Sequence, residues 1–331
     1  MTIDVNNLEY DVELITETGI RYELDGTLLT LNWEEQESEI ATRATLSVAN
    51  FLIGDKYLMQ LAKLNCGIII YAKWGADRNK VFEGTIWDWT YTSDRKRELT
   101  VMAYDPLIRL QNSKDYRYYS KGQTTPDIIK DICGAWGIPV NYRWNRQLTH
   151  EKKAFKGGRL SDMIIDLLDE VKDKTGEKYT IFYRDGALEI LARATNNPVY
   201  YFPHEVTTST SDKKNLNKLV TRVKVIGKED SAGRNPVEAQ LDGDTRFGVL
   251  QEIILRTGDK TLDAANSEAQ ALIKERGQPD EQIQATVPDI PFLRKGDRVQ
   301  MAAGDLLGFF YVTGVSHNAT QKQMTMTLTM R

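Results

Sequence analysis

The sequence predicts a mainly β chain carrying an α+β insertion, and three observations carry that prediction. Apolar residues alternate with polar ones at period two through the first hundred residues and again through the last third. Helical spacing is confined to the middle of the chain and to one stretch near its end. Asp-Gly, Gly-Asp and other turn formers separate the runs.

The elements follow in order. Tyr10, Val12 and Leu14 alternate with charged residues and predict the first strand. Residues 22–29 hold Asp25-Gly26, a pair that tolerates positive φ and predicts a tight hairpin. Ala44, Leu46 and Val48 alternate with Thr45, Ser47 and Ala49. A short helix is predicted near 57–64 and a buried-type strand over 68–74. Strands at 81–91 and 99–103 flank a polar turn at 93–96.

The period changes after residue 104. Thr125 before Pro126 reads as an N-cap followed by proline at the first helical position. Ile128, Ile129, Ile132, Cys133 and Trp136 then share one face, and Gly137 stops the helix. A second helix starts at Ser161, with Ile164, Leu167, Leu168 and Val171 on its apolar stripe and Gly176 closing it. Residues 179–183 and 188–191 form a hairpin across Asp185-Gly186.

The last third returns to β, with strands predicted over 219–226, 249–256, 297–302, 308–315 and 324–330. In the final strand Met324, Met326, Leu328 and Met330 alternate with three threonines. A helix over 261–276 carries Leu262, Ala265, Ala269, Leu272 and Ile273, and residues 230–244 read as a loop. A faint repeat links the two β regions. Ala44-Thr45-Leu46, Gly54-Asp55, the stretch 82–86 and Leu99-Thr100-Val101 form one series. Ala285-Thr286-Val287, Gly296-Asp297, the stretch 312–315 and Met326-Thr327-Leu328 form the other. The domain reading is therefore 1–103, a first β-barrel-like unit; 104–198, an α+β unit; and 199–331, a second barrel-like unit holding the helix 261–276. Duplicated units substitute for two subunits of a ring, so three chains would mimic sixfold symmetry.

Composition narrows the functional classes. The chain has 331 residues, of which 41% are hydrophobic and 27% charged, which excludes a mostly disordered chain. The longest apolar stretch, 66–72, is too short to span a bilayer, and Met1-Thr2-Ile3-Asp4 does not begin a secretory signal. Cys66 and Cys133 fit no zinc, redox or disulfide spacing, so a reduced cytosolic site of synthesis is expected. The net charge of −4 is unevenly spread: residues 1–103 hold 10 basic and 17 acidic side chains, 104–160 hold 11 and 5, and 161–331 hold 22 and 25.

Motifs for catalysis are sparse. His150, His204 and His317 are isolated, and none has the spacing of a metal site. There is no phosphate-binding glycine loop and no nucleophile elbow. Asp162, Asp166, Asp169 and Asp173 form an acidic stripe opposite the apolar one. Glu83 and Asp88 beside Trp87 and Trp89 are the carboxylates of a sugar-site or hydrolase reading. Asp242-Gly243-Asp244 matches part of a calcium loop but lacks its closing Glu. No catalytic residue, cofactor or metal is assigned. In the basic middle, Arg143, Arg146, Lys152, Lys153, Lys156 and Arg159 interleave with Trp144 and Phe155, and Arg109, Lys114, Arg117 and Lys121 with Tyr116, Tyr118 and Tyr119. Such a patch suits a partner interface, with single-stranded nucleic acid as the other reading.

Several blocks resemble one family. They are Ala103-Tyr104-Asp105-Pro106-Leu107-Ile108-Arg109-Leu110, Gly122-Gln123-Thr124-Thr125-Pro126-Asp127-Ile128-Ile129, Leu160-Ser161-Asp162-Met163, Gly176-Glu177-Lys178-Tyr179 and Lys295-Gly296-Asp297, with the closing Met/Thr strand. In order and spacing they resemble the XkdQ/YqbQ-like baseplate hub proteins of contractile phage tails and phage-tail-like bacteriocins. That family is related to late-control D, the phage Mu hub and the N-terminal region of VgrG. The resemblance implies two tail-tube-like barrels per chain and a homotrimeric ring that adapts the sixfold tail tube to the threefold central spike. It implies no active site and no cofactor. The partners implied are the tube, the spike, and neighbouring baseplate and LysM-type tail proteins, with no membrane and with DNA at most in transit through the lumen. The location implied is the tail baseplate. Two other readings stand beside it: a tail-associated cell-wall hydrolase, and a β-rich glycan- or nucleic-acid-binding module.

Overall fold

A computed structural model describes residues 7–24, 26–75, 77–93, 97–229, 233–256 and 260–330. The chain is mainly β, with 49% strand and 18% helix. It divides into two compact units, one of Met1–Thr210 with Gln284–Arg331 and one of Ser211–Ile283.

One extended sheet holds the same strand order twice. In the first series Arg43–Ala49 pairs with Glu98–Tyr104, which pairs with Asp77–Thr92, which pairs with Gly67–Trp74. In the second, Asp280–Pro288 pairs with Gln323–Thr329, which pairs with Leu306–Asn318, which pairs with Arg298–Ala303. Each series gains a strand at both ends. Leu28–Gln36 lies on Arg43–Ala49, and Ser209–Asn215 on Asp280–Pro288. Leu8–Ile15 lies antiparallel on Gly67–Trp74, whereas Tyr200–Pro203 lies parallel on Arg298–Ala303. Among the described residues the strands form a continuous open sheet.

Alternation decides which face is buried. Val12, Leu14, Leu31, Leu46, Ile68, Ile70, Ile86, Leu99 and Val101 all point into one cluster, each at most 2% exposed. Burying side chains of this size stabilises by roughly 1.5–3 kcal/mol each before ordering costs. The final strand follows the same rule: Met324, Met326 and Leu328 are buried, but Met330 lies beyond the ladder and is exposed.

Between the two series the chain forms the expected α+β region. The helix Thr125–Gly134 starts one residue earlier than predicted, because Thr124, in extended backbone, supplies the capping oxygen to the Asp127 N–H. The Thr125 hydroxyl is turned inward instead, 2.8 Å from His150 Nε2. A Thr-Thr pair offers two caps of equal chemistry, and only burial chooses between them. The helix Leu160–Thr175 ends at Gly176 with φ +75°, as its sequence requires. Tyr179–Arg184 and Ala187–Ala192 form the predicted hairpin, with Asp185 and Gly186 at φ +50° and +85°. Ile128, Ile129, Ile132, Ile164, Leu167, Leu168 and Val171 close the core of this region.

The smaller unit is a three-stranded sheet, Val237–Asp242, Arg222–Ile226 and Gln251–Leu255, under the helix Leu262–Arg276. Ala265 and Ala269, both 0% exposed, let the helix approach Val223 and Val225 closely. The predicted loop at 230–244 is thus corrected: Val237–Asp242 is a strand, because Arg222–Ile226 offers it a ladder and an Arg222–Asp242 ion pair. Residues 230–232 of that loop lie outside the described residues, as do Asp25 of the predicted hairpin and 94–96 of the predicted turn. The strands flanking Asp25 pair elsewhere among the described residues, Arg21–Glu23 with Leu8–Ile15 and Leu28–Gln36 with Arg43–Ala49.

Candidate functional site

The two series meet at one seam. Leu306–Asn318 spends its first half on Arg298–Ala303, and its second half then takes Leu28–Gln36 on the same edge. The register there runs from Gly314 opposite Gln36 to Asn318 opposite Asn32.

Two polar clusters fasten this seam. In the first, Glu35, 4% exposed, accepts from Arg294 Nε at 2.7 Å and from the Lys295 backbone N–H at 3.2 Å. Arg294 also lies 4.3 Å over the Phe182 ring and donates to the Tyr183 carbonyl, so the α+β region joins the same cluster. Lys295 Nζ donates to the carbonyls of Gln36 and Glu39. Burial works to raise the Glu35 carboxyl, but the Arg294 and Lys295 charges overcome it and hold it below the usual carboxylate range. Burial pushes the Lys295 ammonium down and the nearby Asp105 and Asp297 carboxyls up, each carboxyl to about 6. In the second cluster His317 stacks on Trp33 at 4.5 Å. Its Nδ1 is 2.7 Å from Asp289 Oδ1 and its Nε2 is 3.2 Å from the Leu293 carbonyl. Tyr10 donates its hydroxyl to the other oxygen of Asp289.

A cleft of about 120 Å³ opens beside these clusters, lined by Glu35, Asp105, Tyr183, Arg294 and His317 among others. Both His317 nitrogens face acceptors within the protein, and Glu35 is tied to Arg294, so these groups are committed to holding the seam. Sequence reading missed the clusters because their members lie more than 250 positions apart in the case of Glu35 and Arg294. The one signal was Gly296-Asp297, whose glycine sits at φ +91° with Thr180 where a Cβ would go.

The other sequence candidates are dispersed. His150 lies buried between Thr125 and Glu170, and His204 begins a short 3-10 turn. Glu83 pairs with Lys80, while Asp88 stands exposed beside the exposed Trp87. Asp162, Asp166 and Asp173 form the expected solvent face, and Asp169 is taken by Lys172 and Tyr179. Asp242 and Asp244 pair with Arg222 and Arg246, so the calcium-loop fragment is occupied by arginines. Among the described residues no group of three or more His, Cys, Asp or Glu is placed to hold a metal, and no helix is long and apolar enough to cross a membrane.

The basic residues separate into two groups. Arg143 pairs with Glu189, Arg146 with Glu177, and Lys153 with Glu170. Burial works against Glu170, but hydrogen bonds from Lys153 and Lys174 pull its carboxyl down to about 2. Lys156 and Arg159 lie on the two-stranded ribbon of Lys114–Tyr119 and Lys153–Arg159. One face of that ribbon presents Tyr116 and Tyr118, 76% and 62% exposed, with Lys152 5.9 Å over the Tyr118 ring.

The two series also agree residue by residue. Asn65 N–H bonds to the Ile86 carbonyl and Ile86 N–H to the Cys66 carbonyl; Gly296, Val312 and Asp297 repeat that pair of bonds. A one-residue bulge follows each, at Trp87 and at Thr313. The Ser47–Thr100 hydroxyl pair, 3.0 Å, recurs as Thr286–Thr325, 3.1 Å. Ile86 therefore corresponds to Val312, and Ser47 to Thr286. The alignment read from sequence is corrected by two residues at Ala44 and Leu99, by four at Phe82, and by eleven at Gly54-Asp55, because Gly296-Asp297 corresponds to Asn65-Cys66. The three shifts within strands are even, since period-two alternation looks the same after any even slip; the fourth match rested on a turn dipeptide alone.

The profile of the YQBQ-like family matches residues 31–331. The chain belongs to the YQBQ-like family. No curated protein matches this YQBQ-like chain. Among solved structures, its fold is similar to the 43 kDa tail protein of prophage MuSo2 from Shewanella oneidensis, with a TM-score of 0.70, 15% identity, and 97% of this chain and 98% of that one covered. It is also similar to a tail protein of Neisseria meningitidis MC58, with a TM-score of 0.68, 14% identity and coverage of 97% and 96%. For the prophage tail protein gp18 of Listeria monocytogenes EGD-e the TM-score is 0.53, the identity 13% and the coverage 96% and 94%. At these identities the likeness is one of fold.

Proposed function

We propose that this YQBQ-like chain is a structural hub of a phage-type tail baseplate. Three copies form a ring of six β units, with residues 1–103 and 199–331 as the two tube-like units of each chain and 104–198 as the α+β unit beside them. The ring adapts a sixfold tail tube to a threefold spike, and its chemistry is contact, not turnover. One observation carries this reading: two β units of the same strand order occur in one chain and are already joined edge to edge at residues 314–318 and 32–36. The family and the tail-protein fold support it. Particle imaging of assembled tails is expected to place the chain at the tail tip in a threefold ring. A ring of any other order, or absence from the tip, would overturn the proposal.

The ribbon with Lys156 and Arg159, and Lys152 just before it, serves in this reading as the surface for an acidic neighbouring baseplate subunit, while Arg143, Arg146 and Lys153 are engaged by their own carboxylate partners. Lys152→Glu with Lys156→Glu is expected to lower tail assembly at least tenfold while thermal unfolding of the isolated chain stays unchanged. Normal assembly by that variant would remove the ribbon from the interface.

A further inference from the structure

The correspondence between the two β series leaves one position filled in one series and empty in the other. In the second series, the edge at residues 314–318 is covered by Leu28–Gln36. Carrying Ile86 onto Val312 carries residues 88–92 onto residues 314–318. Gly67–Trp74 stops at Thr85, and the last bond on that edge is at Ile86. Beyond it residues 88–92 pair with Glu98–Tyr104 on one side only, and among the described residues their other edge meets no strand. The complementary strand also exists. Ser209–Asn215 stands to Asp280–Pro288 as Leu28–Gln36 stands to Arg43–Ala49, and its outer edge ends the sheet. Six of its seven residues are exposed.

We infer that the edge at residues 88–92 receives the strand Ser209–Asn215 of a second copy of this chain, in the way that residues 314–318 receive Leu28–Gln36 within one copy. Main-chain hydrogen bonds then supply the association, as in any strand added to an open edge. An edge left unpaired is a hazard for uncontrolled pairing, which natural sheets cover or charge. The internal seam shows the corresponding edge of the second series carrying a partner strand. The register follows from the same correspondence. The Thr208 N–H bonds to the Thr286 carbonyl at 2.8 Å, and Thr286 corresponds to Ser47, which faces Thr30. Thr208 thus takes the place of Thr30, and Thr210 that of Asn32. Asn32 faces Asn318, so Thr210 of one copy faces Thr92 of the next. Further along, the same register sets Lys214, which already pairs with Asp212 and Glu281 in its own chain, opposite Asp88. Socket and strand lie on different series, so the contact is head-to-tail and is suited to closing a ring.

This inference rests on the ring reading above, and its test separates the two. Thr92→Cys and Thr210→Cys are made as separate full-length variants, both at exposed positions. The native Cys66 and Cys133 are buried, and burial pushes the Cys133 thiol up to about 12, so neither competes under mild oxidation. Mixed and oxidised, the two variants are expected to give a disulfide-linked dimer as the main product, while each alone stays uncrosslinked. The double variant Thr92→Cys/Thr210→Cys is expected to give a three-chain species. Asn32→Cys with Asn318→Cys, facing each other inside one chain, provides the geometric control and is expected to close intramolecularly. If the control closes and the mixed variants stay uncrosslinked, the edge pairing is overturned. A threefold native mass in that same sample leaves the ring reading standing, and with any other mass the ring is decided by the particle imaging above. Efficient crosslinking into closed species of another size supports the edge pairing and overturns the ring of three.

Discussion

Glu35→Ala is expected to lower folding stability by about 3–5 kcal/mol near neutral pH, the usual cost of removing one partner from a buried ion pair. The reason lies in what remains. Arg294 loses the carboxylate that both its Nε and its terminal nitrogen reach, and the buried Lys295 loses its nearest compensating charge. Chemical denaturation at neutral pH gives the difference directly. The pH dependence has a definite sign. Glu35 is held below its ordinary value of 4.5 in the folded chain, so its contribution is present above that value and is lost as the pH falls through the folded one. The gap between wild type and Glu35→Ala should therefore narrow in acid. A gap below about 1 kcal/mol at neutral pH, or one that does not narrow in acid, would mean that the cluster is not what fastens the seam. Arg294→Leu in the Glu35→Ala background should recover part of the loss by removing the stranded charge.

The second large effect is expected at His317. Its replacement by alanine removes the stack on Trp33 and both ring hydrogen bonds, and leaves Asp289, 0% exposed, with Tyr10 as its remaining side-chain partner. A lost aromatic contact of about 0.5–1.5 kcal/mol and a partly unsatisfied buried carboxylate of about 1–3 kcal/mol together predict a loss near 3 kcal/mol. Trp33 reports on this locally. Its emission should shift to longer wavelength as water reaches the vacated space, whereas Tyr10→Phe should cost less and leave the emission in place. A stable His317→Ala variant with unshifted emission would show that the cluster is incidental to packing.

The parts of the fold visible in the sequence are those governed by neighbours along the chain. The helix Leu160–Thr175 is written in its apolar stripe and in Gly176, and the hairpin at Asp185-Gly186 in the need for two positive φ angles. The strand Gln323–Thr329 is written in its Met/Thr alternation. Reading fails where two local answers are equally good. Thr124 and Thr125 are equivalent caps until tertiary burial claims the Thr125 hydroxyl. Val237–Asp242 is framed by turn formers, Gly233, Asn235 and Pro236 before it and Gly243-Asp244 after it, which hide a short strand that forms because Arg222–Ile226 lies beside it. Of the basic residues, sequence supplied the cluster of charge, but only the fold distinguished Arg143, Arg146 and Lys153, which pair with carboxylates, from Lys152, Lys156 and Arg159 on and beside the ribbon.

By itself the sequence determined a mainly β chain, an α+β region between two similar β series, and the family resemblance carried by its ordered blocks. The tertiary structure alone decided how the series align and where they join. Alternation specifies the face of each residue but not its partner, since a slip by two leaves every side chain on the same side. Bulges, paired hydroxyls and buried charges fix the partner, and those exist only once strands distant in the chain have met.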